Sequence, residues 1–150
     1  MIHIEKLRQQ IPYFISMVFV ILFVYAAASK LIDYRQFQEQ LGQSTILKGY
    51  QDTLAWIVPA VEVSVSFLLL FQRYRIFALL ICLGLMTMFT AYILFMLHFS
   101  DTIPCSCGGV ISDLGWKGHL YFNGVLIVLA AVGIVLSYRH QKNLSINNTT

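Results

Sequence analysis

Four runs of apolar residues, each long enough to cross a bilayer, leave this chain few ways to fold. They cover about residues 12–31, 54–71, 76–99 and 119–138. A spanning helix needs about 20 mostly apolar residues to cross the hydrocarbon core at about 1.5 Å per residue. Backbone N–H and C=O groups in that core find no water, so each run must close its hydrogen bonds internally, as a helix. Only 11% of the residues are charged and 58% are hydrophobic, whereas an average soluble domain carries about 25% charged residues. The chain is therefore expected to be an all-α membrane protein, a four-transmembrane-helix bundle forming a single integral membrane domain over 1–150. The polar tail, about 141–150, is expected to be disordered. The lipid bilayer is its first partner. A formal net charge of +3, scattered along the chain, speaks against nucleic acid as a partner.

The short connections set the orientation. Lys6, Arg8, Arg73, Arg75, Arg139 and Lys142 fall on one side of the four runs. Lys30, Arg35, Lys48 and Lys117 fall on the other, mixed with Asp33, Glu39, Asp52, Asp101 and Asp113. Cytoplasmic loops carry the excess of Lys and Arg. Both termini are thus expected in the cytoplasm, and the loops at about 32–53 and 100–118 outside. A bacterial inner membrane protein would then face the periplasm with those loops. The N-terminal cations, the apolar run and Ala26-Ala27-Ala28 also resemble a signal peptide with its cleavage site. The run from Ile11 to Ala28 is long for that role. Pro12 suits the first turn of a helix, where a missing N–H costs nothing.

The outer loop between the third and fourth runs holds Cys105-Ser106-Cys107-Gly108-Gly109, preceded by Pro104. In the periplasm disulfides form and persist. A Cys-x-Cys disulfide closes a small, strained ring, and strained disulfides are the labile, exchange-prone ones. Gly108 and Gly109 permit the backbone such a ring demands. As a static clip it would remove little chain entropy. The third cysteine, Cys82, lies about 25 Å of helix away from Phe99, and a disulfide needs Cα atoms within about 7 Å. Cys82 then reads as a small apolar packing residue. A second use of Cys105 and Cys107 is a soft-metal site of the copper type, with one histidine and Met96 as further ligands. A third is an incidental disulfide in a non-catalytic assembly or transport subunit.

Several groups could serve the pair. His98 and His119 flank the loop, and a histidine or Lys117 beside a thiol can take its proton or lower its pKa. Glu62 is the acidic residue well inside a span. Charges at such depth face the bundle and take a partner, and Lys30 and His119 are the candidates. Glu62 could relay protons or hydrogen-bond a quinone or a partner protein; the plainer reading is a structural ion pair. Asn123 shares a helix face with His119 at i+4. Trp56, Trp116, Tyr50 and Tyr121 sit at run boundaries, as interfacial aromatics do.

Three stretches carry a resemblance to a known family. They are Ala28-Ser29-Lys30-Leu31 with Phe37; Leu54-Ala55-Trp56-Ile57-Val58-Pro59 with Glu62; and Ile103-Pro104-Cys105-Ser106-Cys107-Gly108-Gly109-Val110 with Gly115-Trp116 and His119-Leu120-Tyr121-Phe122-Asn123. Over about residues 12–138 the chain resembles the MauE family, within the wider MauE/DoxX-like group of redox-associated membrane proteins. The resemblance implies a four-helix membrane protein that acts with a thioredoxin-like periplasmic partner. It implies thiol–disulfide exchange in the maturation of exported client proteins, which in the namesake is the disulfide-rich small subunit of methylamine dehydrogenase. Cys105 and Cys107 would then be the exchanging pair, with His119 and Glu62 as catalytic helpers. The four-helix plan is also similar to the DsbB and vitamin K epoxide reductase proteins, which pass electrons through two cysteine pairs to a quinone. This chain has one plausible pair, so either a quinone is met directly or a partner supplies the second pair.

Overall fold

The four apolar runs form four long helices, and a fifth, short helix caps one end of them. The computed structural model describes residues 2–44, 47–99 and 115–147. Along the chain lie α1 (Ile2–Ile32), α2 (Tyr34–Gln43), α3 (Gln51–Leu70), α4 (Arg75–Phe99) and α5 (Gly115–Asn147). The segments Gln10–Ile32, Gln51–Leu70, Arg75–Phe95 and Lys117–Lys142 are long and apolar enough to cross a membrane. The protein is an all-α membrane protein with four spans. An even number of crossings puts the start of α1 and the end of α5 on the same side.

The sequence sets which faces meet. In α3 the buried residues are Ala55, Pro59, Glu62, Val65, Ser66 and Leu69, recurring every three or four positions. In α5 Asn123, Leu126, Ala130 and Ser137 follow the same beat, as do Ile15, Phe19, Phe23 and Ala27 in α1 and Leu79, Cys82 and Met86 in α4. This spacing places one stripe per helix toward a common axis. The stripes join in one core around Phe19, Phe23, Leu69, Leu79, Cys82 and Ala130. α1 packs along α3 and α5, and α4 packs along α5 and α3. Among the described residues α3 and α5 make no close backbone approach, so they occupy opposite corners.

Outside the stripes the surface is oily. Phe14, Ile21, Phe67, Phe77, Met88, Val125 and Val128 are all more than half exposed. Only 28–33% of each span's most apolar stretch is buried within the bundle, so most of the apolar surface has lipid as its solvent. Hydroxyls inside the spans close locally: Ser16 Oγ donates to the Pro12 carbonyl at 2.8 Å, and Ser66 Oγ to the Glu62 carbonyl at 2.8 Å.

Three expectations change here. α1 begins at Ile2, ten residues before the apolar run, so Pro12 is inside the helix and buried rather than in its first turn. α5 runs on to Asn147, through most of the tail expected to be disordered. In both cases good helix formers such as Lys6, Leu7, Gln141 and Lys142 extend the helix beyond the bilayer, because propensity and hydropathy are separate properties. And α2 forms within a stretch read only as a loop.

The helices of the bundle pack closely at Gly133, where α5 meets α1 and α4. A Cβ there would lie 3.0 Å from Ile15 Cγ2 and 3.3 Å from Leu79 Cδ1. Gly133→Leu is expected to destabilise the bundle by about 1–3 kcal/mol through overpacking. Gly124→Ala, at a site with nothing within 4 Å, is expected to change stability by less than about 1 kcal/mol. Unfolding in mixed detergent micelles measures both.

Candidate functional site

Lys30 stands in the last turn of α1, where a lysine usually stretches outward to water. Here it turns inward. Its Nζ donates to the Ala26 carbonyl one turn back at 3.3 Å and to Glu62 Oε1 at 2.7 Å. A lysine side chain on a helix leans toward the N-terminus, and at the end of α1 that direction leads into the bundle. Glu62 is placed for it by the buried stripe of α3, about 16 Å along the helix from Gln51. Its side chain is 4% exposed and that of Lys30 20%, so the pair sits in the protein rather than in lipid or water.

The ammonium also sits 5.7 Å from the centre of the Phe37 ring on α2, within the range of a cation–π contact. One cation therefore ties three helices. Two further contacts fasten α2 to α3: the Tyr34 and Trp56 rings lie 5.3 Å apart, and Gln38 Nε2 donates to Asp52 Oδ1 at 2.6 Å. α2 buries no residue of its own. It is a polar, surface-lying helix held at its ring and amide side chains.

Glu62 has one oxygen engaged. Its Oε2 is buried and has no hydrogen-bond partner among the described residues. A buried carboxylate oxygen without a donor is costly.

Of the residues that sequence reasoning singled out, the fold brings Lys30 and Glu62 together, while α5, which carries His119, makes no close backbone approach to α3 among the described residues. His119 is in the second turn of α5, half-buried, with the buried Asn123 four positions on. Since α5 is diagonal to α3, the ion-pair partner of Glu62 is Lys30 and not His119. Cys105 and Cys107 lie outside the described residues, as does the whole segment 100–114 that joins α4 to α5. Its attachment points are described. Phe99 ends α4 and Gly115 begins α5 at the end of the bundle where α1 stops and α3 starts. α2 and the Lys30 side of the ion pair occupy that same end, and Glu62 meets Lys30 from about half-way along α3. Among the described residues no group of three or more His, Cys, Asp or Glu side chains assembles as a metal site.

Cys82 is fully buried in the core, free of any disulfide. α4 is unbroken from Arg75 to Phe99, so about 25 Å of helix separates Cys82 from its far end. Cys82 is expected to resist a water-soluble maleimide in the folded protein and to react only after denaturation, as mass spectrometry of the labelled chain would read.

Three contributors escaped the sequence reading. Phe37 and Asp52 carried no assigned chemistry, and Gln38 was not singled out. Their signal was position only: Phe37 follows Lys30 by two turns once Asp33 is bridged helically, through the Asp33 N–H to the Ser29 carbonyl and the Phe37 N–H to the Asp33 carbonyl.

No curated protein and no solved structure matches the chain. A family model, that of the methylamine utilisation protein MauE, matches residues 8–136. That span takes in the first three crossings, most of the fourth, the Lys30–Glu62 pair and the Cys105-Ser106-Cys107 segment, and on it the chain belongs to the MauE family.

Proposed function

We propose that this protein carries out thiol–disulfide exchange at the outer face of a bacterial inner membrane, with Cys105 and Cys107 as the exchanging pair. Its partner in this reading is a thioredoxin-like periplasmic protein, and its purpose is disulfide formation or maturation in exported proteins. The observation that carries it is the separation of the three cysteines. Cys82 is sealed in the core at the other end of α4, which leaves Cys105 and Cys107 to each other or to a partner. Membership of a methylamine utilisation family supports a maturation role and makes methylamine metabolism the first pathway to test.

The exchange balances without a further cofactor. The thiolate of one cysteine attacks a sulfur of the partner's disulfide. A mixed S–S bond forms, and the partner's other sulfur leaves as a thiolate that takes up a proton. The second cysteine then attacks the mixed disulfide, the partner departs reduced by two electrons, and the Cys105–Cys107 bond closes. Run backward, the same steps oxidise the partner. Lys30 and Glu62 act as positioning residues, fixing the end of the bundle from which the cysteine segment springs.

Labelling in intact cells with a membrane-impermeant thiol reagent tests the reading. Two cysteines per chain should label after mild reduction and none before it. Labelling of both without reductant under all growth conditions, or labelling only by reagents that cross the membrane, overturns it.

A further inference from the structure

The end of the bundle where α1 begins and α5 ends carries two buried polar groups that the exchange chemistry does not use. Arg75 Nε and Ser137 Oγ are buried and have no hydrogen-bond partner among the described residues. The packing at Gly133 brings them to one level. α4 and α5 are consecutive crossings and run antiparallel. Gly133 on α5 lies against Leu79 on α4 and Ile15 on α1. One turn nearer the termini, the same register sets Ser137 beside Arg75. The Tyr13 ring of α1 closes a third side, its centre 5.7 Å from the Arg75 guanidinium carbon. We propose that Arg75 and Ser137 bind the phosphate of an anionic phospholipid at the seam of α1, α4 and α5. This site goes beyond the exchange reading and does not rest on it.

Each of the two groups lacks what a phosphate supplies. An arginine Nε–H can only donate, and a buried donor without an acceptor is costly. With an Nη–H it forms a parallel fork that matches two phosphate oxygens. Arg75 is only partly buried, so its side chain is not sealed in the core. Ser137 is 6% exposed. Ser16, Ser66, Thr87 and Thr90 each donate to the carbonyl four residues back. Ser137 Oγ makes no such bond, which leaves its hydroxyl free to donate to a ligand. α4 starts at Arg75, so the unbonded N–H groups of its first turn add donors at the same end. The local charge has the right sign. Residues 1–13, 71–76 and 137–150 hold Lys6, Arg8, Arg73, Arg75, Arg139 and Lys142 against one acid, Glu5.

Depth selects the source of the phosphate. One span begins at Arg75, and Tyr13 and Ser137 lie three and five residues inside the ends of theirs, at Gln10 and Lys142. That is the level where the hydrocarbon core gives way to headgroups. Lipid phosphates are already present there. An acidic peptide or a soluble polyanion would have to carry its charge below the membrane surface, at a cost. Acyl chains have apolar surface to follow, since Phe14, Phe77 and Tyr138 are all more than half exposed. Basic pockets between spanning helices hold anionic headgroups by this combination. The Lys30–Glu62 pair ties the helices toward one end of the bundle, and the lipid would tie them at the other.

Native mass spectrometry of the full chain in detergent micelles, with phosphatidylglycerol or phosphatidylcholine added, tests the site by counting retained lipids. One phosphatidylglycerol is expected to stay bound, at least about tenfold more tightly than phosphatidylcholine, equivalent to ~1.4 kcal/mol. Arg75→Gln should remove that preference. Ser137→Ala should weaken binding about threefold. Arg73→Gln, which takes a cation from the exposed turn next door, should weaken it less than about twofold. Should Arg75→Gln not fold, Arg75→Lys keeps the charge, loses the fork and is expected to bind more weakly than the parent. The Cys105→Ser, Cys107→Ser double variant should bind as the parent does, which separates this site from the exchange reading. Equal losses from Arg73→Gln and Arg75→Gln would reveal a diffuse positive surface and overturn the proposal. Equal retention of the two lipids, parent-like binding by Arg75→Lys, or displacement of phosphatidylglycerol by millimolar inorganic phosphate overturns it as well.

Discussion

Serine at either Cys105 or Cys107 is expected to end disulfide exchange, and serine at one of them is expected to leave a partner protein covalently attached. A serine hydroxyl neither attacks a disulfide at neutral pH nor resolves a mixed one. If the attacking cysteine is removed, no bond to the partner forms. If the resolving cysteine is removed, the mixed disulfide cannot be displaced from within and accumulates. The two single variants should therefore differ sharply on a non-reducing gel, one running as monomer and one as a reducible complex with a thioredoxin-like protein. That contrast assigns attacking and resolving roles, which the sequence does not distinguish. Cys82→Ser should leave both behaviours intact, because its sulfur is in the core. Equal and undiminished activity in both single variants would sink the exchange mechanism and favour the assembly-subunit alternative.

The second large effect is expected at the ion pair. Lys30→Ala strands the Glu62 carboxylate among the helices without a cation, and breaking one partner of a buried pair costs about 3–5 kcal/mol. Glu62→Gln should cost less, about 1–2 kcal/mol, since the carboxamide oxygen still accepts from Lys30. Lys30 is also near the end of its helix and can straighten outward to the interface. Replacing both residues with leucine removes the charges together and should recover much of the single-variant loss. Lys30→Leu, Glu62→Leu and the double leucine variant form a double-mutant cycle whose coupling energy, read from unfolding in mixed micelles, should be well above the few tenths found for independent sites. Lys30→Ala should also speed proteolysis between residues 33 and 50, because the cation–π contact to Phe37 goes with it. A Lys30→Ala protein within about 1 kcal/mol of the parent would show the pair to be incidental.

How much was legible in advance follows from which physics dominates each part. The four spans were readable because the bilayer imposes a length and a polarity that nothing else in a chain imitates. Glu62 and Lys30 were readable as a pair because a deep carboxylate must find a cation and few were within reach. His119 was an equal candidate on sequence grounds. It loses because helix order around the bundle, set by the matching of buried stripes, puts α5 across from α3. α2 was not readable: its ten residues, rich in glutamine, carry no apolar run, and its helix rests on Trp56, Asp52 and Lys30, partners supplied by other helices. The ends of α1 and α5 were misjudged because hydropathy marks where lipid stops, while a helix stops where its backbone bonds do.

The inward turn of Lys30 also bears on how the molecule is made. The ribosome emits Lys30 thirty-two residues ahead of Glu62, so the cation enters the membrane first, without its partner. It can bear that wait, since a lysine at a helix end can rest at the headgroups. An unpaired acid at the depth of Glu62 has no such refuge. Synthesis in this order means that α3, when it leaves the translocon, finds a positive charge already stationed beside its path. A chain rearranged to emit α3 first is expected to meet its costliest step at the outset, with Glu62 in the membrane before Lys30.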